Sequence, residues 1–161
     1  MANSEDVPQI RPATNADVPR VLEIEREAST AAHWAESDYR NALTAESPRR
    51  LILVAEQDQH VEGFLVARCA HAAEWEIENV VVAEAARRKG LGVSLLQSFL
   101  ERIHAQSPTS EKAGVVHLEV RESNLAARRL YEKSGFSLDS KREKYYRYPD
   151  ESAIQYRLIF Q

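Results

Sequence analysis

The chain has 161 residues, enough for one domain that buries roughly 70 % of its unfolded surface. Its 43 % hydrophobic and 29 % charged residues exclude a disordered tail, and its single cysteine excludes a disulfide scaffold. Twenty-one basic against twenty-five acidic residues leave a net charge of −4, which argues against a general nucleic-acid coat.

Residues 1–6, Met-Ala-Asn-Ser-Glu-Asp, are acidic and polar, unlike a secretory signal. No apolar run reaches the ~20 residues of a membrane span. With Cys69 unable to pair internally, a cytoplasmic setting without a membrane is expected. Residues 7–12 read as an opening strand, and Pro8 and Pro12 place it at a sheet edge. Thr14 reads as a helix N-cap facing the acidic Asp17, and Val18, Val21, Leu22 and Ala28 form the apolar face of that helix. A second helix is expected over 36–46.

The apolar run 51–55 predicts a buried strand, the polar 57–60 a turn, and 61–70 its hairpin partner. A further strand covers 75–82. The strongest helix covers 90–104, with Leu91, Leu95, Leu96, Phe99 and Ile103 at helical spacing. Then come a strand at 115–120, a helix at 125–134 ended by Gly135, and strands at 137–146 and 153–160. This order predicts an α/β or α+β domain over 1–161: a mixed sheet with helices on its faces.

Two of the five glycines stand in Arg87-Arg88-Lys89-Gly90-Leu91-Gly92, at a strand-to-helix turn. A helix start leaves N–H groups without partners and carries partial positive charge, which suits phosphate. The spacing is neither G-x-x-x-x-G-K-[ST] nor G-x-G-x-x-G, because Leu95 stands at the third glycine position. A plain turn beside a solvated basic cluster fits the same residues.

Arg87-x-x-Gly90-x-Gly92 resembles the acetyl-CoA pyrophosphate loop of the GNAT N-acetyltransferases. The opening Ile10-Arg11-Pro12-Ala13-Thr14 with Asp17 resembles that family too, as do Leu118-Glu119-Val120-Arg121, Asn124 and Leu130-Tyr131-Glu132-x-x-Gly135-Phe136. The later motifs are the more specific and resemble the RimI-type branch, which acetylates the α-amine of a ribosomal protein beginning with alanine. The resemblance implies a GNAT fold of about seven strands and about four helices. It also implies direct attack of an amine on acetyl-CoA in a ternary complex.

By the same resemblance, backbone N–H groups from Arg87 or Arg88 through Lys89, Gly90, Leu91 and Gly92 grip the pyrophosphate. Val80, Val81 and Val82 run along the pantetheine arm, with the Val81 N–H polarising the thioester carbonyl. Asn124 bonds the cofactor arm, and Tyr131 lies against it as general acid for the departing thiolate. Glu119 is the general base; Glu78, by its place on the strand before the loop, is the reserve base and is expected to bind the acceptor. An α-amine, pKa ~7.7–8.0, is deprotonated more easily than lysine near ~10.4. Without the resemblance, Glu119 reads as a solvated strand residue, Asn124 as an N-cap and Tyr131 as core.

The run Lys141-Arg142-Glu143-Lys144-Tyr145-Tyr146-Arg147-Tyr148 corresponds to the segment that covers the peptide in RimI-type enzymes, which gives Tyr145 and Tyr146 to the acceptor. The same run suits single-stranded nucleic acid, or an edge strand kept soluble by charge. Trp34 belongs to the acceptor loop, where His33 replaces the branch's usual proline. The polar stretch 107–112 reads as a surface loop. No metal is expected, since the five histidines lack ligand spacing. Cys69 reads as a strand residue.

The expected activity is acetyl transfer to a protein N-terminal α-amine, a ribosomal protein being the leading partner. The chain is expected to work as a monomer or weak dimer that needs no nucleic acid. A GNAT enzyme for a small-molecule amine, or a non-catalytic acyl-CoA-binding or ribosome-docking module, stands as the alternative.

Overall fold

The computed structural model describes residues 7–28, 33–106, 113–147 and 150–160. The expectations for residues 1–6, for the stretch 107–112 and for Tyr148 lie outside them.

The elements follow the predicted order: β1 (Gln9–Pro12), α1 (Val18–Glu27), α2 (Glu36–Thr44), β2 (Arg50–Gln57), β3 (His60–His71), β4 (Glu74–Val82), α3 (Leu91–Gln106), β5 (Gly114–Arg121), α4 (Leu125–Lys133), β6 (Ser137–Tyr146) and β7 (Glu151–Phe160). Single 3-10 turns at Asn15–Asp17 and Glu84–Ala86 precede α1 and α3. Among the described residues no helix is long and apolar enough to cross a membrane.

Seven strands form one sheet in the order β1-β2-β3-β4-β5-β7-β6. Among the described residues only the β4–β5 pair is parallel. Alternation along β3 assigns the two faces. Phe64 meets Tyr39 of α2 edge-on, whereas a Cβ at the neighbouring Gly63 would lie 3.4 Å from Leu95 of α3. So α1 and α2 cover one face and α3 the other. A Cβ at Gly92 would stand 3.0 Å from Leu130, which brings α4 beside the start of α3.

Local chemistry explains the joints. Asp58 and Gln59 have φ of 50° and 64°, the two left-handed residues of a tight hairpin turn, and Gln57 pairs with His60 around them. Asp17 takes the Thr14 backbone N–H at 2.8 Å and two bonds from the Arg11 guanidinium, at 2.8 and 2.9 Å. Arg11 first, and the Thr14 N–H after it, hold the Asp17 carboxyl below its ordinary value despite its burial. Helix α4 ends as expected. Phe136 N–H reaches Tyr131 O, Gly135 N–H reaches Glu132 O, and Gly135 supplies the required φ of 97°.

Candidate active site

Strands β4 and β5 pair only from Glu74–Val115 to Ile77–Leu118. Beyond that they part, and a cleft of about 830 Å³ opens between 78–82 and 119–121, closed by the start of α3 and by α4. A bulge prepares the parting: Val66 pairs with Asn79 and Ala67 with Ile77, so Glu78 is an extra residue on β4.

The register also decides which backbone groups face the gap. Ala83 N–H bonds Glu62 O at 2.8 Å, and Phe64 pairs with Val81 two residues along. Hydrogen-bonded pairs recur every second residue in an antiparallel ladder, so the Val81 N–H and carbonyl point to β3. The backbones of Val80 and Val82 therefore face the cleft. This corrects the expectation for Val81, whose amide is committed to the sheet. Which of three consecutive N–H groups faces a gap depends on register, which a strand's sequence does not carry.

At one end of the cleft lies the glycine loop. The first helical bond of α3 runs from Ser94 N–H to Gly90 O, 3.0 Å, which leaves the N–H groups of Leu91, Gly92 and Val93 without intrahelical partners. Arg88 and Gly90 have φ of 66° and 79°, and that left-handed path turns the chain into the helix. The Arg87 Nε donates to Val82 O at 3.2 Å, tying the loop to the end of β4. Arg87, Arg88, Gly90, Leu91 and Gly92 line the cleft; Lys89 does not.

The sides carry the candidate chemistry. Asn124 caps α4 with its Oδ1 on the Ala127 N–H at 3.2 Å, and it lines the cleft as well. Tyr131 lies buried between Phe136 and Tyr156 with its edge on the cleft. Burial, and after it the neighbouring Tyr146, pushes the Tyr131 hydroxyl well above its ordinary value, so it stays protonated. Tyr146 is shifted the same way, by burial first and then by Glu119.

Glu119 projects from β5 at the far end, where its Oε1 accepts from Gln155 Nε2 at 2.6 Å and Arg142 Nη1 at 2.9 Å. Glu78 faces the same space and takes two bonds from Arg50, at 3.0 and 3.2 Å. Tyr146 lines the cleft under the Arg121 guanidinium, 4.2 Å from its ring. Tyr145 lies outside, stacked on Arg142 at 3.9 Å. Trp34 lines a separate hollow of about 360 Å³, while its neighbour His33 reaches the cleft. No cluster among the described residues has the ligands for a metal ion.

Three residues escaped the sequence reading. Arg142 and Gln155 come to Glu119 from two other strands, which only the sheet order reveals. Glu25, which the sequence reading does not single out, is 2 % exposed on α1. Its signal was present in the spacing, since 18, 21, 22 and 25 share one helical face.

The acetyltransferase (GNAT) family profile matches residues 18–136. The [ribosomal protein bS18]-alanine N-acetyltransferase of Salmonella typhimurium is 31% identical over 135 residues, 83% of either chain. The N-alpha-acetyltransferase RimI of Mycobacterium tuberculosis is 29% identical over 148 residues, 89% of this chain and 87% of its own. The crystal structure of the ribosomal-protein-S18-alanine N-acetyltransferase of Escherichia coli superposes with a TM-score of 0.81 at 28% identity, over 96% of this chain and 95% of that one.

Proposed function

The chain belongs to the acetyltransferase (GNAT) family and is an acetyl-transferring enzyme, and from that premise we propose that it acetylates the α-amine of a protein N-terminus. A ribosomal protein beginning with alanine is the leading acceptor. The observation that carries this reading is the parting of β4 from β5 after Ile77 and Leu118, with two carboxylates at one end and a helix start at the other. The two relatives above are named for N-terminal acetylation, which supports the choice of amine.

The family uses acetyl-CoA, and the cleft fits it. Unpartnered N–H groups at the start of α3, with Arg87 and Arg88, suit a pyrophosphate. Val80 and Val82 present backbone groups to an extended amide-bearing arm as a strand would, and Asn124 stands beside it. When bound, acetyl-CoA supplies an acetyl thioester open to attack by an amine. The N–H groups of Val80 and Val82 are the ones placed to polarise its carbonyl.

Glu119 takes the proton from the acceptor's ammonium group, directly or through one water, so that the amine lone pair attacks. Gln155 and Arg142 fix the carboxylate through its Oε1. An α-amine demands little of this base, because a fraction of it is already neutral near pH 7. The Tyr131 hydroxyl gives a proton to the departing thiolate. His33, Glu78 and Tyr146 border the acceptor's approach, with Trp34 and Tyr145 supporting them from outside the cleft.

The test is to incubate the protein with acetyl-CoA and ribosomal protein S18 bearing a free N-terminal alanine, and to locate the acetyl group by mass spectrometry. Acetyl on the α-amine supports the reading. Acetyl on lysines alone, or on nothing, contradicts it.

A further inference from the structure

Glu25 is a carboxylate sealed inside an apolar layer, which is costly unless every oxygen is satisfied. Its Oε1 accepts the Trp34 backbone N–H at 2.7 Å, and its Oε2 accepts the Tyr39 hydroxyl. Burial first, and then the Glu25 bond, raises the Tyr39 phenol far above its ordinary value, so the hydroxyl keeps the proton that it gives to Glu25. Asn79 of β4, beside the Glu78 bulge where the cleft begins, neighbours the Tyr39 hydroxyl. Glu25 thus joins α1 to the backbone of residue 34 and to α2.

The Trp34 ring is fixed as well as its backbone. It lies 5.2 Å from the Tyr39 ring and 5.3 Å from the Arg50 guanidinium, which in turn holds Glu78. Residues 33 and 34 are therefore tied to α1 by Glu25, to α2 by Tyr39 and to β2 by Arg50. His33, the next residue back along the chain, borders the cleft at the end away from the glycine loop, with its Nδ1 3.8 Å from Glu25. Nothing in this network touches the phosphate end.

We propose that Glu25 is a positioning residue for the acceptor: it holds the His33–Trp34 wall in place and so sets acceptor affinity without affecting the binding of CoA. This rests on the reading of the far end of the cleft as the acceptor's. Loss of the carboxylate frees the Trp34 amide and the Tyr39 hydroxyl together, and the wall loses its fixed position.

Two probes separate the halves of the cleft by calorimetry: CoA, and CoA joined through an acetyl bridge to the N-terminal amine of an alanine peptide. Glu25→Ala should weaken the conjugate on the order of tenfold, the effect of one or two lost hydrogen bonds, while CoA stays within about twofold. Glu25→Gln, which keeps an oxygen for the Trp34 N–H and reverses the second bond, its amide donating to the Tyr39 hydroxyl oxygen, should stay within about threefold for both. Tyr39→Phe carries the same expectation as Glu25→Ala if the latter does not fold. A conjugate affinity that is unchanged, or that falls in parallel with CoA, overturns the proposal.

A second readout is acrylamide quenching of Trp34 fluorescence in a Trp75→Phe background. Quenching should rise in Glu25→Ala and not in Glu25→Gln. If the unaltered protein gains nothing from the peptide half of the conjugate, the acceptor reading fails. Quenching then decides the anchor alone, and a Trp34 still shielded in Glu25→Ala overturns it.

Discussion

Glu119 on β5 and Arg142 on β6 form a 2.9 Å ion pair across the intervening strand β7, with Gln155 of β7 bonded to the same carboxylate oxygen. The proposed base is thus held by two donors on one oxygen. The shape of the sheet, with β7 inserted between β5 and β6, creates this arrangement.

Glu119→Gln keeps the size and one acceptor oxygen but removes the base. It should lower kcat by about 10²-fold. An unaltered kcat would move the role to Glu78 or to solvent.

Tyr131→Phe should slow turnover about tenfold rather than abolish it, since a thiolate with pKa near ~8.5 leaves with modest help. Because burial keeps the Tyr131 proton in place, any fall in rate between pH 8 and 10 should persist in this variant. Disappearance of that fall would show that Tyr131 titrates there.

Gly92→Val should raise the KM for acetyl-CoA at least tenfold with a smaller effect on acceptor KM. Any Cβ there stands 3.0 Å from Leu130, and a branched one also crowds the helix start proposed to hold the pyrophosphate. Equal effects on both KM values would count against that placement.

The element order was legible because periodicity and turn chemistry agree along the chain: the run 51–55, the helical spacing of Leu91 to Ile103, and Gly135 at its helix end each carry a local signal. The places of the glycine loop, Asn124 and Tyr131 in the fold were legible for the same reason, while the roles proposed for them rest on the family resemblance. What stayed hidden was non-local. The Glu78 bulge, the outward backbones of Val80 and Val82, and the partners of Glu119 depend on register and strand order. Glu25 was hidden differently, since a glutamate among Glu23, Arg26 and Glu27 looks solvated until its helical face is counted.

Tyr39 and Tyr131 are both buried and both hold their protons above the ordinary tyrosine value of 10.0. The folded state binds these protons more tightly than the unfolded one, so their contribution to stability is complete below pH ~10 and is lost as pH rises beyond it. Urea midpoints should therefore fall from pH 9 to pH 11, and Tyr39→Phe should show a shallower fall. Identical slopes would contradict the burial argument for Tyr39.

The central claim is that this cleft acetylates a protein N-terminal α-amine. CoA release should be followed with two matched peptides, one with a free N-terminal alanine and no lysine, the other with a blocked N-terminus and one lysine. Release with the first peptide alone is the predicted result. Release with the lysine peptide alone, or with neither, contradicts it.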